Sequence, residues 1–267
     1  MALPVSPDAM ESFLLAAAEA GGTVALAHFR RRPDVANKEA DKGAGRFDPV
    51  TEGDRGAEAA IRALISERFP DHGILGEEYG SERADARYCW VIDPIDGTRA
   101  FISGLPSWGC LIGLMEDGMP IAGIMHQPFT GENYLACGEG GFLLHRGNRE
   151  RLAASGCERL ADATLMTTSR EAFGEGKFER FEKVSERVRL TRFGFDCYAY
   201  AMVAAGHIDL VIESGLHVYD IAALIPLIEQ AGGIVTGWDG KAAPRGGDII
   251  AAASKALHAE ALAVLNG

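Results

Sequence analysis

The stretch WVIDPIDGTRAFISG, residues 90–104, places Asp93 and Asp96 three residues apart at the end of an apolar run. The apolar residues predict a buried strand, and Pro94 stiffens the turn that follows and removes one backbone N–H. Ligand sites form where the strands of α/β sheets end, and carboxylates crowded there repel one another unless a cation joins them. Oxygen ligands alone favour a hard cation, Mg²⁺ first. The stretch therefore predicts a metal site into which the backbone carbonyl of Ile95 also points.

Gly97 and Thr98 come directly after the two aspartates, where the chain enters a helix or a turn. Backbone N–H groups at such a start can hold the oxygens of a phosphate group. The segment therefore predicts a phosphate site beside the metal.

Further acidic side chains stand at other predicted strand and helix ends. Glu77 closes a short apolar strand, and Asp220 precedes the apolar helical pattern IAALIPLIEQ. Each acid also has a purely structural interpretation. Asp220 can cap a helix, Thr51 and Asp54 can form a capping box, and Asp96 can stabilise the DGT turn. The metal hypothesis rests on the acids taken together and not on any single one.

Composition and charge limit the classes of function. The chain has 267 residues, 47% of them hydrophobic, and a net charge of −12. This charge argues against nucleic acid as a partner, because phosphate backbones need a basic face. Five cysteines without a C-x-x-C spacing fit a reducing compartment. We see neither a signal peptide nor an apolar run that reaches the length of a membrane span, so we expect a cytoplasmic protein without a membrane partner.

The pattern of apolar residues divides the chain into two halves. Residues 6–29 and 50–69 have helical spacing, and residues 110–146 alternate strands with turn signals, which predicts an antiparallel meander. After that, predicted strands and helices alternate to the end of the chain. We therefore expect a mixed α+β and α/β fold, with helices layered against two sheets. One compact unit would contain an N-terminal half, 1–150, and a C-terminal half, 151–267.

Three motifs together resemble a known family. GEEYG at 76–80, WVIDPIDGTRAFISGLPSWG at 90–109 and YDIAALIPLIEQAGG at 219–233 resemble the inositol monophosphatase family of Mg²⁺-dependent, lithium-sensitive phosphatases. Their order and spacing match the family from about Ser6 to Ser254. The resemblance implies a layered αβαβα sandwich of the inositol monophosphatase and fructose bisphosphatase type. It also implies two or three Mg²⁺ ions per site, a small phosphorylated metabolite as substrate, and a homodimer.

The resemblance further implies roles for single residues. The metal ligands would be Glu77, Asp93, the carbonyl oxygen of Ile95, Asp96 and Asp220. Asp54 and Thr98 resemble the catalytic pair that orients and deprotonates the attacking water, with Glu77 close by. The backbone N–H groups of Gly97 and Thr98 would hold phosphate oxygens.

The substrate-binding residues are implied in the same way. Asp196 and Glu213 fall where family members place residues that face the substrate. Their structural alternatives are that Asp196 caps the following helix and that Glu213 merely ends a strand. Arg99 either contacts the substrate phosphate or lies at a dimer edge. Lys38 falls where the family often has a lysine on a mobile loop.

Two motifs resemble the histidinol-phosphatase branch of the family. They are FDPVT at 47–51 and DCYAYA at 196–201. Histidinol phosphate carries an ammonium and an imidazole, which suit an acidic wall formed by Asp196 and Glu213. We therefore predict hydrolysis of L-histidinol phosphate to L-histidinol, a step of histidine biosynthesis. GLHVYD at 215–220 looks more like the inositol branch, so an inositol-1-monophosphatase or a broader sugar-phosphate phosphatase is the alternative.

Two other classes of function compete with these. A binding protein that keeps the fold and acts through an interface would have no need for the pair Asp54 and Thr98. A nucleotide 3′-phosphatase would need a basic, aromatic pocket for the adenine and the second phosphate, and we see no such cluster in the sequence. An assay of turnover with Mg²⁺ separates a binding protein from an enzyme.

Overall fold

Two mixed β-sheets and eight α-helices form the part of the chain that this computed structural model describes, residues 2–31, 36–37 and 49–267. Lys38 and the first two residues of the FDPVT motif lie outside these residues. The helices are α1 (Pro7–His28), α2 (Glu52–Arg68), α3 (Thr98–Ile102), α4 (Lys177–Ser185), α5 (Asp196–Ala204), α6 (Val218–Ile221), α7 (Leu224–Gln230) and α8 (Lys255–Asn266). Single 3₁₀ turns lie at Leu160–Asp162 and Arg170–Ala172.

The strands fall into one small ribbon and two larger sheets. The ribbon pairs β1 (Ala36–Asn37) with β2 (Pro49–Val50). The large sheet contains β3 (Gly73–Gly76), β4 (Gly80–Glu82), β5 (Tyr88–Asp96), β6 (Gly109–Glu116), β7 (Met119–Gln127), β8 (Glu132–Ala136), β9 (Gly141–His145) and β10 (Asn148–Arg151). The small sheet contains β11 (Thr164–Thr167), β12 (Leu190–Phe193), β13 (Leu210–Leu216), β14 (Ile234–Gly237) and β15 (Gly247–Ala252).

The large sheet confirms the predicted meander. Its strand order is β10-β9-β8-β7-β6-β5-β3-β4, and every pair is antiparallel except β3 with β5. Asp117 and Gly118 join β6 to β7 with φ angles of 49° and 79°. Positive φ at both positions is the geometry of the hairpin turns that match the twist of the strands. The small sheet has the order β12-β11-β13-β15-β14, in which β11 is parallel to both of its neighbours.

Helices and sheets alternate in five layers, as the resemblance implied. Helices α1 and α2 cover one face of the large sheet, α5, α6 and α7 lie between the two sheets, and α4 and α8 cover the far face of the small sheet. Three clusters of buried apolar side chains fill the four interfaces between the layers, and the central cluster joins both sheets through the middle layer. The middle layer therefore fixes how the two sheets lie relative to each other.

Helix α1 corrects one expectation from the sequence. By length and composition alone it is long and apolar enough to cross a membrane, whereas we expected no such run. In this structure Met10, Leu14 and Ala17 are buried in a cluster with residues of the large sheet. A core helix passes the same test of length and composition, so the helix is weak evidence for a membrane span.

Two glycines let the middle layer approach the large sheet closely. A Cβ atom on Gly113 of β6 would lie 2.9 Å from the backbone of Ala222, and one on Gly123 of β7 would lie 2.5 Å from the backbone of Ala223. No other residue type leaves room for this contact. The approach brings the segment that begins with Asp220 onto the sheet that carries Asp93.

Candidate active site

A β-bulge in β5 turns the side chains of Asp93 and Asp96 to the same side of the sheet. In a regular strand, residues three apart point to opposite faces of the sheet. Asp93 pairs with Leu111 and Asp96 with Gly109, so three steps along β5 match two along β6. An extra residue of this kind re-aims the side chains that follow it. Asp93 is almost fully buried, and its Oδ1 accepts a hydrogen bond from the N–H of Ile95 at 3.1 Å.

Asp220 completes a group of three carboxylates. One oxygen of each of Asp93, Asp96 and Asp220 lies within 4.8 Å of the others. The N-cap of α6 is His217 and not Asp220, whose Oδ2 accepts a hydrogen bond from the N–H of His217 at 2.6 Å. The interpretation of Asp220 as the N-cap of a helix is therefore wrong. Asp220 lies in the first turn of α6, where it bonds the N–H of His217 and also belongs to the group of three carboxylates.

Glu77 reaches the group from the neighbouring strand. It follows β3, which runs parallel to β5, and its N–H donates to the carbonyl oxygen of Ile92 at 3.2 Å. Its negative charge raises the pKa of both Asp93 and Asp220. The structure thus places Glu77 beside two of the three carboxylates of the group.

Burial and mutual repulsion dominate the electrostatics of this group. Burial, followed by the charges of Glu77, Asp96 and Asp220, raises the pKa of Asp93 well above its ordinary value. Burial and the charge of Asp220 raise the pKa of Asp96 to about 8. Burial, with the charges of Glu77 and Glu213, raises the pKa of Asp220 to about 7, against the N–H of His217. A cation would reverse this repulsion, and the all-oxygen donor set fits a hard divalent ion.

Asp54 and Thr98, the predicted catalytic pair, each form hydrogen bonds with residues near them in the sequence. Asp54 is fully buried, and its Oδ2 accepts from the N–H of Thr51 at 2.8 Å and from its hydroxyl at 2.6 Å. The capping box is therefore present. The hydroxyl of Thr98 donates to the carbonyl oxygen of Ile95 at 3.0 Å. The joint action of Asp54 and Thr98 stays a prediction.

The predicted phosphate site lies where α3 begins. Gly97 is the N-cap of α3 and has a φ of 82°, in the left-handed region that favours glycine. A Cβ atom there would lie 3.1 Å from the side chain of Asp196. The turn that carries Gly97 and Thr98 therefore lies against the start of α5.

A cavity of about 150 Å³ opens beside the metal-binding group. Its lining residues include Asp96, Asp196, Glu213 and Asp220. The structure therefore brings both predicted substrate-facing acids next to two of the predicted metal ligands.

Asp196 reaches the cavity through an unusual turn. Gly194, Phe195 and Asp196 all have positive φ angles, of 95°, 84° and 44°. Asp196 is the first residue of α5, whose N-cap is Phe195 with no side-chain capping bond, so the alternative that Asp196 caps this helix is wrong. Burial, with the charges of Asp96 and Glu213, raises the pKa of Asp196, and the charge of Arg99 opposes this shift.

Glu213 is fixed by two residues that sequence reasoning missed. One oxygen accepts from the N–H of Thr168 at 2.9 Å and from its hydroxyl, and the other accepts from the hydroxyl of Tyr200 at 2.9 Å. These bonds offset part of the rise in the pKa of Glu213 that burial causes. Tyr200 stands in the DCYAYA motif, but only the fold shows that it meets β13.

Cys197 links the cavity to the metal-binding group. Its N–H donates to Oδ2 of Asp96 at 2.6 Å, and it is the second residue of α5. Negative charge is stabilised at a helix N-terminus, where backbone N–H groups point outward. The start of α5 therefore holds Asp96 in place while Asp196 faces the cavity.

Comparisons with known proteins agree with this geometry. The model of the inositol monophosphatase family matches residues 6–266. The bifunctional phosphatase IMPL2, chloroplastic, of Arabidopsis thaliana is 39% identical over 92% of this chain and 72% of its own. A histidinol-phosphatase of Mycobacterium tuberculosis is 37% identical over 82% of this chain and 85% of its own. A solved inositol monophosphatase structure from Zymomonas mobilis matches with a TM-score of 0.86 and 36% identity, covering 98% of this chain and all of that one.

The fold and the matched family define a phosphatase, and the carboxylate cluster is its candidate site for a hard cation. The chain belongs to the inositol monophosphatase family, and its relatives include both histidinol-phosphatases and inositol monophosphatases.

Proposed function

We propose that the protein is a Mg²⁺-dependent phosphomonoesterase that hydrolyses L-histidinol phosphate to L-histidinol and phosphate, as in histidine biosynthesis. The observation that carries the proposal is the pair Asp196 and Glu213, which line the same small cavity as Asp96 and Asp220. The ammonium of the substrate would form charge-assisted hydrogen bonds with such carboxylates. The relatives that are histidinol-phosphatases support this choice of substrate.

The metal-binding residues would be Glu77, Asp93, the carbonyl of Ile95, Asp96 and Asp220, with two or three Mg²⁺ ions. Bound Mg²⁺ polarises phosphoryl oxygens and lowers the pKa of a coordinated water. Magnesium is preferred over softer metals because every donor in the group is an oxygen.

The residues of the chain then orient the reaction. Asp54 and Thr98 would orient the attacking water and accept its proton, while the N–H groups of Gly97 and Thr98 hold phosphate oxygens. The water oxygen forms a bond to phosphorus as the ester P–O bond breaks, and the leaving histidinol oxygen takes up a proton. Asp196 and Glu213, which line the same cavity, would hold the cationic part of the substrate.

The experiment compares kcat/KM for L-histidinol phosphate and for inositol-1-phosphate. A charge-assisted hydrogen bond in a partly desolvated site contributes about 1.5–3 kcal/mol, or roughly 10–150-fold. We expect the parent to prefer histidinol phosphate, and at least one of Asp196→Asn and Glu213→Gln to narrow the preference by about this factor. Asp209→Asn is the matched control, because Asp209 is a buried carboxylate that bonds Ser155 and Thr164, outside the residues lining the cavity.

Hydrolysis of inositol-1-phosphate is the second candidate. The observation in its favour is that Glu213 already accepts hydrogen bonds on both oxygens, from Thr168 and Tyr200, so Asp196 alone would meet an ammonium directly. A parent that prefers inositol-1-phosphate would establish this candidate and leave the metal site unchanged. Fructose bisphosphate and 3′-phosphoadenosine phosphate in the same panel measure the breadth of the substrate range.

A further inference from the structure

A second buried carboxylate lies on α2, one turn after Asp54. Glu58 has no exposed surface. Its Oε2 accepts from the N–H of Glu78 at 2.7 Å, and its Oε1 accepts from the N–H of Tyr79 at 3.2 Å and from Nε of Arg62 at 2.7 Å. A buried carboxylate is tolerated when it is paired and hydrogen-bonded in this way.

Arg62 extends the same network. It is almost fully buried on the next turn of α2, and its guanidinium donates to the carbonyl of Gly80 and to Glu82, the latter at 3.3 Å. The segment 78–82 follows Glu77 directly. Glu58 and Arg62 together therefore bind this segment to α2 through four of its residues.

The contact between the network and the end of β3 is also tight. A Cβ atom on Gly76 would lie 1.9 Å from Oε1 of Glu58. Residues four apart share one face of a helix, so Asp54, Glu58 and Arg62 form one row along α2. This row lies against the strand end from which Glu77 enters the metal-binding group.

We propose that Glu58 and Arg62 are positioning residues for the metal site. They hold the segment 78–82, and with it the adjoining Glu77, so that the carboxylate of Glu77 meets Asp93 in a fixed geometry relative to Asp54 on the same helix. This inference rests on the proposed function in one respect, that Glu77 is a metal ligand. Groups that orient metal ligands in this way typically change metal affinity by about 10–100-fold when they are removed.

Two variants test the network by different routes. Glu58→Gln keeps the size of the side chain and removes the anion that pairs with Arg62. Gly76→Ala keeps every charge of the chain and displaces the Glu58 carboxylate by steric contact alone. Glu116→Gln is the control, because Glu116 is a buried carboxylate that bonds Arg87 and the N–H of Ala2, within the large sheet but away from the metal-binding group.

The first measurement is the Kd for Mg²⁺ by isothermal titration calorimetry. We expect Glu58→Gln and Gly76→Ala to raise this Kd by about 10–100-fold and excess Mg²⁺ to restore part of the phosphatase activity. Glu116→Gln should lower the Tm and leave the Kd unchanged. The second measurement is amide hydrogen exchange of the segment 78–82 in the metal-free protein, which should become faster in both variants and stay the same in the control.

The outcomes separate the inference from the proposed function. The positioning role is overturned if the parent binds Mg²⁺ and the variant that folds, either Glu58→Gln or Gly76→Ala, has the same Kd for Mg²⁺ as the parent. This result would leave the proposed function standing. A parent that binds no Mg²⁺ would overturn the metal site of the proposed function, and the inference with it. A raised Kd in either variant beside an unchanged control would support both.

Discussion

Asp93 lies in a buried group of carboxylates that repel one another in the absence of a cation. Its burial and the charges of its neighbours raise its pKa well above the ordinary value. Asn at this position keeps the shape and replaces an anionic ligand by a neutral one. We therefore expect Asp93→Asn to fold with an unchanged circular dichroism spectrum and to lose phosphate release at ordinary Mg²⁺ concentrations. Full activity of this variant would remove Asp93 from the metal site.

Asp54 and Thr98 provide a test of joint action. General-base assistance is worth about 10²–10⁴-fold in rate, so Thr98→Ala and Asp54→Asn should each lose a factor in this range. Residues that act as a unit are not additive, so the double variant should lose little more than either single variant. Asp54 is the third residue of α2, and the side-chain oxygen of Asn can also accept the hydrogen bond from the N–H of Thr51, so a large loss in Asp54→Asn is not a loss of the capping box. Phosphate-release rates that multiply independently would contradict a shared role.

At this scale the sequence predicted the acids and missed the residues that hold them. Asp93, Asp96 and Asp220 stand at strand and helix ends, where a carboxylate is conspicuous. Glu58 and Tyr200 sit inside helical patterns, where a polar side chain is normally expected to face solvent. Their roles depend on a loop and a strand that only the fold brings to them, so no local pattern could reveal them.

Strand β5 and helix α6 bring the buried carboxylates of Asp96 and Asp220 close together. This proximity predicts that the stability of the protein falls as the pH rises. The folded pKa of Asp96 is raised from 3.8 to about 8, and that of Asp220 from 3.8 to about 7. An acid with a raised folded pKa stabilises the fold at low pH, and this contribution is lost as the pH rises through the folded value. With EDTA present, the Tm should therefore fall between pH 5.5 and 8.5, and Mg²⁺ should offset the fall.

The control for this prediction is Asp96→Asn, which removes one titrating group from the site. Its Tm in EDTA should depend less on pH than that of the parent, because Asn binds no proton in this range. Since metal binding requires deprotonated ligands, the Kd for Mg²⁺ of the parent should also decrease as the pH rises. Equal slopes of Tm against pH in the parent and in Asp96→Asn would contradict the raised pKa of Asp96.

The elements were largely predictable, whereas their irregularities were not. Turn residues located the hairpins, and apolar spacing located α1 and α2. Strand β14 (Ile234–Gly237) was missed, because four residues after a glycine pair carry too little alternation to be recognised. The bulge between Asp93 and Asp96 could not be predicted from the spacing of apolar residues either, because it depends on the register of β5 against β6. That bulge is what allows a spacing of three to place both carboxylates on one side.

The whole molecule places its site where three layers meet. Asp93 and Asp96 belong to the large sheet, Asp220 lies in α6 of the middle layer, and Glu213 belongs to the small sheet. The sequence indicated five layers through the resemblance, but the contact that joins them comes from Gly113 and Gly123, whose partners in the middle layer lie about a hundred residues away. Metal affinity should therefore depend on how well the middle layer is packed.

Two leucines make this dependence testable. Leu224 in α7 and Leu257 in α8 are both fully buried, the first in the central cluster and the second between the small sheet and the outer helices. Replacing either by Ala should lower the free energy of unfolding by about 2–5 kcal/mol, measured by urea denaturation. Leu224 lies four residues after Asp220 and packs in the layer that sets its distance from Asp93. We therefore expect Leu224→Ala to raise the Kd for Mg²⁺ in calorimetric titration, whereas Leu257→Ala loses similar stability and keeps the parental Kd. Equal Kd values in two comparably destabilised variants would show that the site is insulated from the packing between the sheets.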